Sequence, residues 1–241
     1  MADKSEFVGD GILAKNASWT FGEGVARNFS FHVRRSVPFY MEGHDLICGI
    51  SDFFVKNDSV CYELGTSVGE LIAKLSSHHS NKKSVEWVGV DIEEEMIQKA
   101  KENNSHLSNV SFVTDNIKTY PYKKADLFIS YYTLQFVHPK ERQEIFDTIY
   151  KSLNWGGALL LFEKVRASDA RFQDMMTSLY NDYKLEQGFS TDEVISKARS
   201  LKGVLEPFST QGNIDLMKRA GFVDIMTVMK YICFEGFLAI K

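Results

Sequence analysis

Cysteine is scarce in this chain. Cys48, Cys61 and Cys233 are scattered and odd in number, which argues against a disulfide framework. Cys61 and Cys233 lie in apolar, strand-like runs and read as buried thiols. No uninterrupted apolar run approaches the roughly 18 residues that a membrane-spanning helix needs. The opening stretch MADKSEFVGDG is acidic and has no apolar centre, so it does not read as a secretory signal. The expectation is a cytoplasmic protein with no membrane association. Positive charge is not in excess either: 28 Lys and Arg stand against 32 Asp and Glu, a net charge of −4. Nothing draws the chain as a whole to nucleic acid, and Lys82-Lys83 and Lys123-Lys124 read as solvated loop charges. There is no internal repeat and no low-complexity tract. No Cys/His cluster has metal-ligand spacing, so no metal is expected, and His78-His79 reads as a solvated helix end.

What is present is a single informative turn. Val60-Cys61-Tyr62-Glu63-Leu64 reads as a short buried strand that runs through Gly65-Thr66-Ser67-Val68-Gly69 into a helix. A second strand, ending at Val90, delivers Asp91 about one βαβ unit later. Glycine lets backbone approach a ligand because no Cβ intervenes. The first turn of the helix offers unpaired N–H groups. A carboxylate at a strand end can accept two hydrogen bonds from ribose hydroxyls, and the spacing suits an adenosine-containing ligand. The pattern E-x-G-x-S-x-G is looser than the dinucleotide G-x-G-x-x-G and is typical of enzymes that use S-adenosylmethionine (SAM). The glycines alone also fit an ordinary strand-to-helix turn.

From Ser59 the chain alternates strand and helix. Strands are expected at 59–64, 85–90, 110–114, 126–131 and 158–163. Helices are expected at 68–78, 93–104 and 139–153, where Ile145, Ile149 and Leu153 mark an apolar stripe. The near-continuous apolar run Ala158 to Phe162 suits a parallel sheet buried on both faces. Asn154-Trp155-Gly156-Gly157 reads as a helix-ending turn. Before this lie two helices, near 24–35 and 38–55. After it come a long helical insertion at about 168–206, a helix at 210–220 and two apolar runs that suggest a closing hairpin. The expected organisation is a helical cap over residues 1–55 and a ligand-binding unit over 56–241 that carries the insertion. The fold class is α/β: a Rossmann-like SAM-dependent methyltransferase fold with a seven-stranded, mostly parallel sheet, a C-terminal antiparallel hairpin and a helical insertion after the fifth strand.

Several motifs are more specific than the glycine turn. They are Trp19-Thr20-Phe21, Arg35-Ser36-Val37-Pro38-x-Tyr40, Thr133-Leu134-Gln135-Phe136, Glu141-Arg142, Leu153-Asn154-x-Gly156-Gly157-Ala158-Leu159, Glu163-Lys164 and the insertion at 182–203. In these the chain resembles carboxy-SAM synthase, a family once taken for transfer-RNA uridine methyltransferases, from about residue 19 to the C-terminus. The resemblance implies a homodimeric enzyme, linked to transfer-RNA modification, that converts SAM and prephenate to carboxy-SAM and phenylpyruvate. It implies no direct contact with nucleic acid. Arg199, which by itself would read as a solvent-facing helix arginine, matches the family's carboxylate-reading cation, and Tyr40 matches a cofactor-site tyrosine. These two are the expected catalytic residues. Glu63, Gly65, Thr66, Ser67, Asp91, Ile92, Asn116 and Ile117 match cofactor-binding positions, and Asp115 would serve by a shift of one residue.

The chain departs from the family at four places. Glu63 replaces an aspartate, Thr66 a cysteine, Asn116 an aspartate, and Tyr131 an asparagine that meets the ligand. Two other functions stay open on sequence: a small-molecule methyltransferase on the same scaffold, and a SAM-binding partner subunit without catalysis.

Overall fold

The computed structural model describes residues 8–10, 12, 14–22 and 25–241. The acidic opening MADKSEF and Gly24, at the expected start of the first helix, lie outside them. Helices α1 (Val25–Ser36) and α2 (Tyr40–Ser51) precede β1 (Val60–Leu64), α3 (Glu70–His78), β2 (Glu86–Asp91), α4 (Glu94–Asn103), β3 (Val110–Thr114) and β4 (Ala125–Tyr131). A single 3-10 turn, Leu134–Phe136, leads to α5 (Pro139–Ser152) and β5 (Leu153–Lys164). The expected insertion contains α6 (Ala170–Glu186) and α7 (Thr191–Ser200). Then come α8 (Thr210–Ala220), β6 (Asp224–Tyr231) and β7 (Phe234–Ile240).

The strands form one seven-stranded sheet in the order β3-β2-β1-β4-β5-β7-β6. The first five pair in parallel, while β7 runs antiparallel to both β5 and β6. Side chains alternate between two cores, as a period of two requires. Leu127, Ile129, Leu160 and Phe162 meet Ile47, Ile72 and Leu75 on one face. Phe128, Leu159 and Leu161 meet Phe146, Ile149 and Met217 on the other. Both faces are covered, which is why β4 is buried along its whole length and reads as an unbroken apolar run.

The helix boundaries follow local chemistry. Pro139 occupies the first turn of α5, where its missing N–H costs nothing, and the His138 side chain accepts from Lys140 N–H. Ser190 and Glu193 form a reciprocal capping box on α7. Gly221, at φ 119°, closes α8.

Two local expectations are corrected. Asn154 to Gly157 is not a free turn but the start of β5, where Leu153 pairs with Ala125 and the register shifts before Leu127. Gly156, at φ 78°, takes up the irregularity, and its N–H donates to the Lys241 carbonyl. His78 and His79 are not both solvated: His79 is buried, stacks on Trp87 and bonds Ser51 Oγ at 2.7 Å. With Asp52 they bring three ligand-type atoms within 4.8 Å of one another. The Lys82 ammonium also lies 4.0 Å from that carboxylate.

Candidate active site

Strand order reverses between β1 and β4, and in such sheets ligands sit outside the carboxyl ends of the strands at that point. A cavity of about 770 Å³ opens there. At its floor the N–H groups of Gly65 and Thr66 both donate to the Val90 carbonyl, at 2.7 and 3.1 Å. Gly65 takes φ 72°, and a Cβ there would collide with the Thr133 side chain. Glycine is therefore required at 65 on two counts.

Asp91 lies at the end of β2. Its Oδ2 accepts Ser67 N–H at 2.8 Å and its Oδ1 accepts Glu93 N–H at 3.1 Å. Burial pushes its carboxyl up, and the backbone donors hold it down. Each oxygen keeps a lone pair for a hydroxyl. Gly65, Ser67, Asp91, Ile92, Asn116 and Ile117 all line the cavity, so the structure brings six of the expected cofactor residues together.

Glu63, Thr66 and Asp115 are corrected, since none lines the cavity. Glu63 is buried beneath the turn and accepts the Thr66 hydroxyl at 2.7 Å. Burial drives its carboxyl up to about 8, opposed by the Thr66 and Ile72 donors. Thr66 packs under Gly89, where a Cβ would approach its hydroxyl to 2.7 Å. The pair props the turn from below. Asp115 accepts the N–H of Asn116 at 2.7 Å and leaves Asn116 to face the cavity.

The motif Arg35 to Tyr40 explains how the far wall is held. Arg35 donates to the Gln187 carbonyl through Nε and Nη2, at 2.9 and 2.6 Å, and pairs with Asp10. The Tyr180 hydroxyl donates to the Ser36 carbonyl at 2.7 Å. Both contacts tie the end of α1 to α6. Phe39 then turns through φ 56°, and Tyr40 enters the cavity from the first turn of α2. Its hydroxyl makes no hydrogen bond among the described residues, and burial raises its pKa. Tyr131 lines the cavity with its ring alone, because its hydroxyl turns away to the Tyr40 carbonyl at 2.7 Å. That geometry needs a glycine opposite: a Cβ on Gly43 would strike the hydroxyl.

The Thr133 to Phe136 and Glu141-Arg142 motifs shape the loop after β4. Buried Arg142 donates to the carbonyls of Val137 and Gln135, at 2.9 and 3.1 Å. Gln135 bridges Tyr132 and the Lys164 N–H. Tyr132, missed on sequence, holds φ 61°, a strained value for a large side chain, and its buried hydroxyl has no hydrogen-bond partner among the described residues. It too lines the cavity.

Arg199 is the main correction. It is exposed on α7 and outside the cavity lining. Two residues earlier, Lys197 faces the cavity, and so do Lys164, Arg166 and Lys184. Lys197 lies over the Trp19 ring. Lys164 and Lys184 sit 4.2 and 4.6 Å from the centroid of the Tyr180 ring. Burial lowers the pKa of all three lysines, that of Lys184 to about 7 with Lys164 adding to the effect. The sequence signal for Lys184 was the polar–aromatic face Gln173, Thr177, Tyr180 and Lys184 of α6, at helical spacing. Phe172, Met175 and Leu179 of the same helix face outward, 51%, 49% and 56% exposed, whereas Met176 lines the cavity.

Comparison with known proteins decides the family. The carboxy-S-adenosyl-L-methionine synthase of Staphylococcus epidermidis is 35% identical over 92% of this chain and 97% of its own length. That of Campylobacter jejuni is 36% identical over 92% and 93%. The chain belongs to the carboxy-S-adenosyl-L-methionine synthase family. It is a SAM-dependent transferase. A family model described as a methyltransferase domain matches residues 62–157. Among solved structures, human N-acetylserotonin methyltransferase in complex with SAM matches with a TM-score of 0.58 at 19% identity. The match covers 90% of this chain and about half, 53%, of that longer one. A SAM-dependent methyltransferase named SibL, in its apo form, matches with a TM-score of 0.65 at 14% identity, over 96% of this chain and 63% of the other. These likenesses show the Rossmann-like methyltransferase fold expected from the sequence. No helix among the described residues is long and apolar enough to cross a membrane.

Proposed function

We propose that this enzyme carboxylates the methyl group of SAM, with prephenate as donor. The balance closes with no outside oxidant. One C–H bond of the sulfonium methyl is replaced by a bond to carbon dioxide. Prephenate loses that carbon dioxide and its hydroxide and leaves as phenylpyruvate. The methyl proton and the hydroxide leave as water. Gly65, Ser67, Asp91, Asn116 and Ile117 would hold the adenosine half of SAM. Tyr40 and Tyr132 would face the reacting end with free hydroxyls.

The observation that carries this reading is the cationic wall of Lys164, Arg166, Lys184 and Lys197 across the cavity. Methyl transfer from SAM to a neutral acceptor gains nothing from such a wall. A reaction that brings in a dianion and leaves a new carboxylate does. Family membership points the same way, since the Staphylococcus epidermidis and Campylobacter jejuni relatives carry the synthase name. The resemblance also supports a homodimer, for which the exposed Phe172, Met175 and Leu179 face is available.

The test is to incubate the purified protein with SAM and prephenate and weigh the nucleoside product. The expected species is heavier than SAM by one carbon dioxide and forms in step with phenylpyruvate. Unchanged SAM, with methyl transfer to an added acceptor, would replace this reading with a small-molecule methyltransferase.

A further inference from the structure

Lys164 stands at the end of β5, Lys184 in the last turn of α6 and Lys197 in α7. Three elements remote in sequence thus contribute ammonium groups to one cavity. Among the described residues no carboxylate lies within 4 Å of any of them, and none has a hydrogen bond to a side chain or backbone oxygen. Their neighbours are rings: Tyr180 for Lys164 and Lys184, Phe234 for Lys164, and Trp19 for Lys197. A ring face returns only part of the hydration that a buried ammonium loses. The groups also repel: Lys184 feels Lys164, and Lys197 feels Lys184. One lysine over a ring is common. Asp10 offsets part of the charge at Lys197, but three lysines that share one cavity with no carboxylate within 4 Å of their ammonium groups leave positive charge that an anion of more than one charge would balance.

We propose that Lys164, Lys184 and Lys197 form a seat for a small dicarboxylate whose two carboxylates are held at once, with Tyr180, Phe234 and Trp19 as apolar walls for its carbon skeleton. The identification of that dicarboxylate as the carboxyl donor rests on the synthase reading. The seat itself does not.

The experiment replaces each lysine by methionine, which keeps the stem and removes the charge. Calorimetry is run with SAM, with prephenate, and with succinate as an unreactive dicarboxylate and acetate as a monocarboxylate. The seat predicts that Lys164→Met, Lys184→Met and Lys197→Met each weaken prephenate and succinate at least about tenfold, the scale of losing one buried charge pair. SAM affinity should stay within about twofold, which also shows that the variants fold. Without ligand, their thermal midpoints should equal or exceed that of the unaltered protein by about 2–4 °C, because an unpaired buried charge is gone. Acetate should bind no variant differently from the unaltered protein. If prephenate and succinate bind the variants unchanged, or if SAM affinity and midpoint fall together, the seat is overturned. If the unaltered protein binds succinate through these lysines but forms no carboxylated product, the seat stands and the synthase reading falls. If product forms with the same prephenate KM in all variants, the synthase reading stands and the seat falls.

Discussion

Gly43 lies inside α2, where alanine would normally stabilise a helix by about 1 kcal/mol. Here Gly43→Ala should do the reverse. The new Cβ would run into the Tyr131 hydroxyl, whose hydrogen bond to the Tyr40 carbonyl is 2.7 Å long. Overpacking costs about 1–3 kcal/mol and loss of the hydrogen bond about 1 kcal/mol. After the helix gain is subtracted, the net loss is about 1–3 kcal/mol. Tyr131→Phe removes the colliding oxygen and leaves the ring Cζ 3.1 Å from the same Cβ, a separation that small adjustments absorb. In the Tyr131→Phe background, Gly43→Ala should therefore be close to neutral. The double-mutant cycle should show a coupling of about 2 kcal/mol, read from denaturant unfolding of the four ligand-free proteins. Because the Tyr131 and Tyr40 rings both line the cavity, the single variant should also lose SAM affinity and the double variant recover it. A cost for Gly43→Ala that is the same in both backgrounds, to within about 0.5 kcal/mol, would refute the account of Tyr131 as a ring held in place by a missing Cβ.

Three further outcomes are expected. Asp91→Ala should weaken SAM by about 2–4 kcal/mol in calorimetry, since it removes a charged acceptor and frees the Ser67 and Glu93 N–H groups; unchanged affinity would take Asp91 out of the site. Glu63, with a pKa raised to about 8, retains in the folded state a proton that the unfolded chain releases, so its contribution to stability falls as pH rises from about 4.5 to 8. Glu63→Gln should accordingly be near neutral at pH 5 and stabilising by about 1–3 kcal/mol at pH 9 in thermal unfolding, and an equal effect at both pH values would contradict a buried carboxyl. Arg199→Ala should leave SAM affinity and prephenate-dependent turnover within about twofold, as expected for an exposed side chain; a steep fall in turnover would return Arg199 to the chemistry.

The middle of the sheet was legible in the sequence because its strands are buried on both faces. β1, β2 and β4 therefore stand out as apolar runs, and they and the half-exposed edge strand β3 were each placed to within a residue or two. β5 was harder. Its first residues, Leu153 to Gly157, contain two glycines and an exposed Trp155, and local composition does not distinguish a bulged strand from a turn. The part of the cavity lining expected to meet adenosine was legible for a different reason. Gly65, Ser67 and Asp91 are spaced by the repeat of one βαβ unit, which the chain records directly. Glu63, Thr66 and Asp115 share that spacing, yet they point beneath the turn or along the loop, a matter of one residue's direction that spacing does not encode. The lysines were illegible because nothing in their local sequence marks a desolvated ammonium. Only the packing of α6, α7 and β5 around one space reveals it. Lys197 and Arg199 lie two positions apart on one helix, about 200° around its axis, so one faces inward and the other outward.

The stretch that matches the general methyltransferase domain, residues 62–157, stops just short of Lys164. It contains Gly65, Ser67, Asp91, Asn116, Ile117 and Tyr131, but it omits Trp19, Tyr40, Tyr180, Lys184 and Lys197. The cavity is thus a composite of a general part and a flanking part. One part of its lining is continuous in sequence and falls within the general domain, and a second part is brought in from both flanks. On the synthase reading proposed above, exchange of those flanks between relatives would re-aim the reaction while residues 62–157 kept their hold on the nucleoside. A chimera carrying residues 62–157 of a plain methyltransferase between this chain's own flanks is the natural place to look for carboxylation on a borrowed sheet.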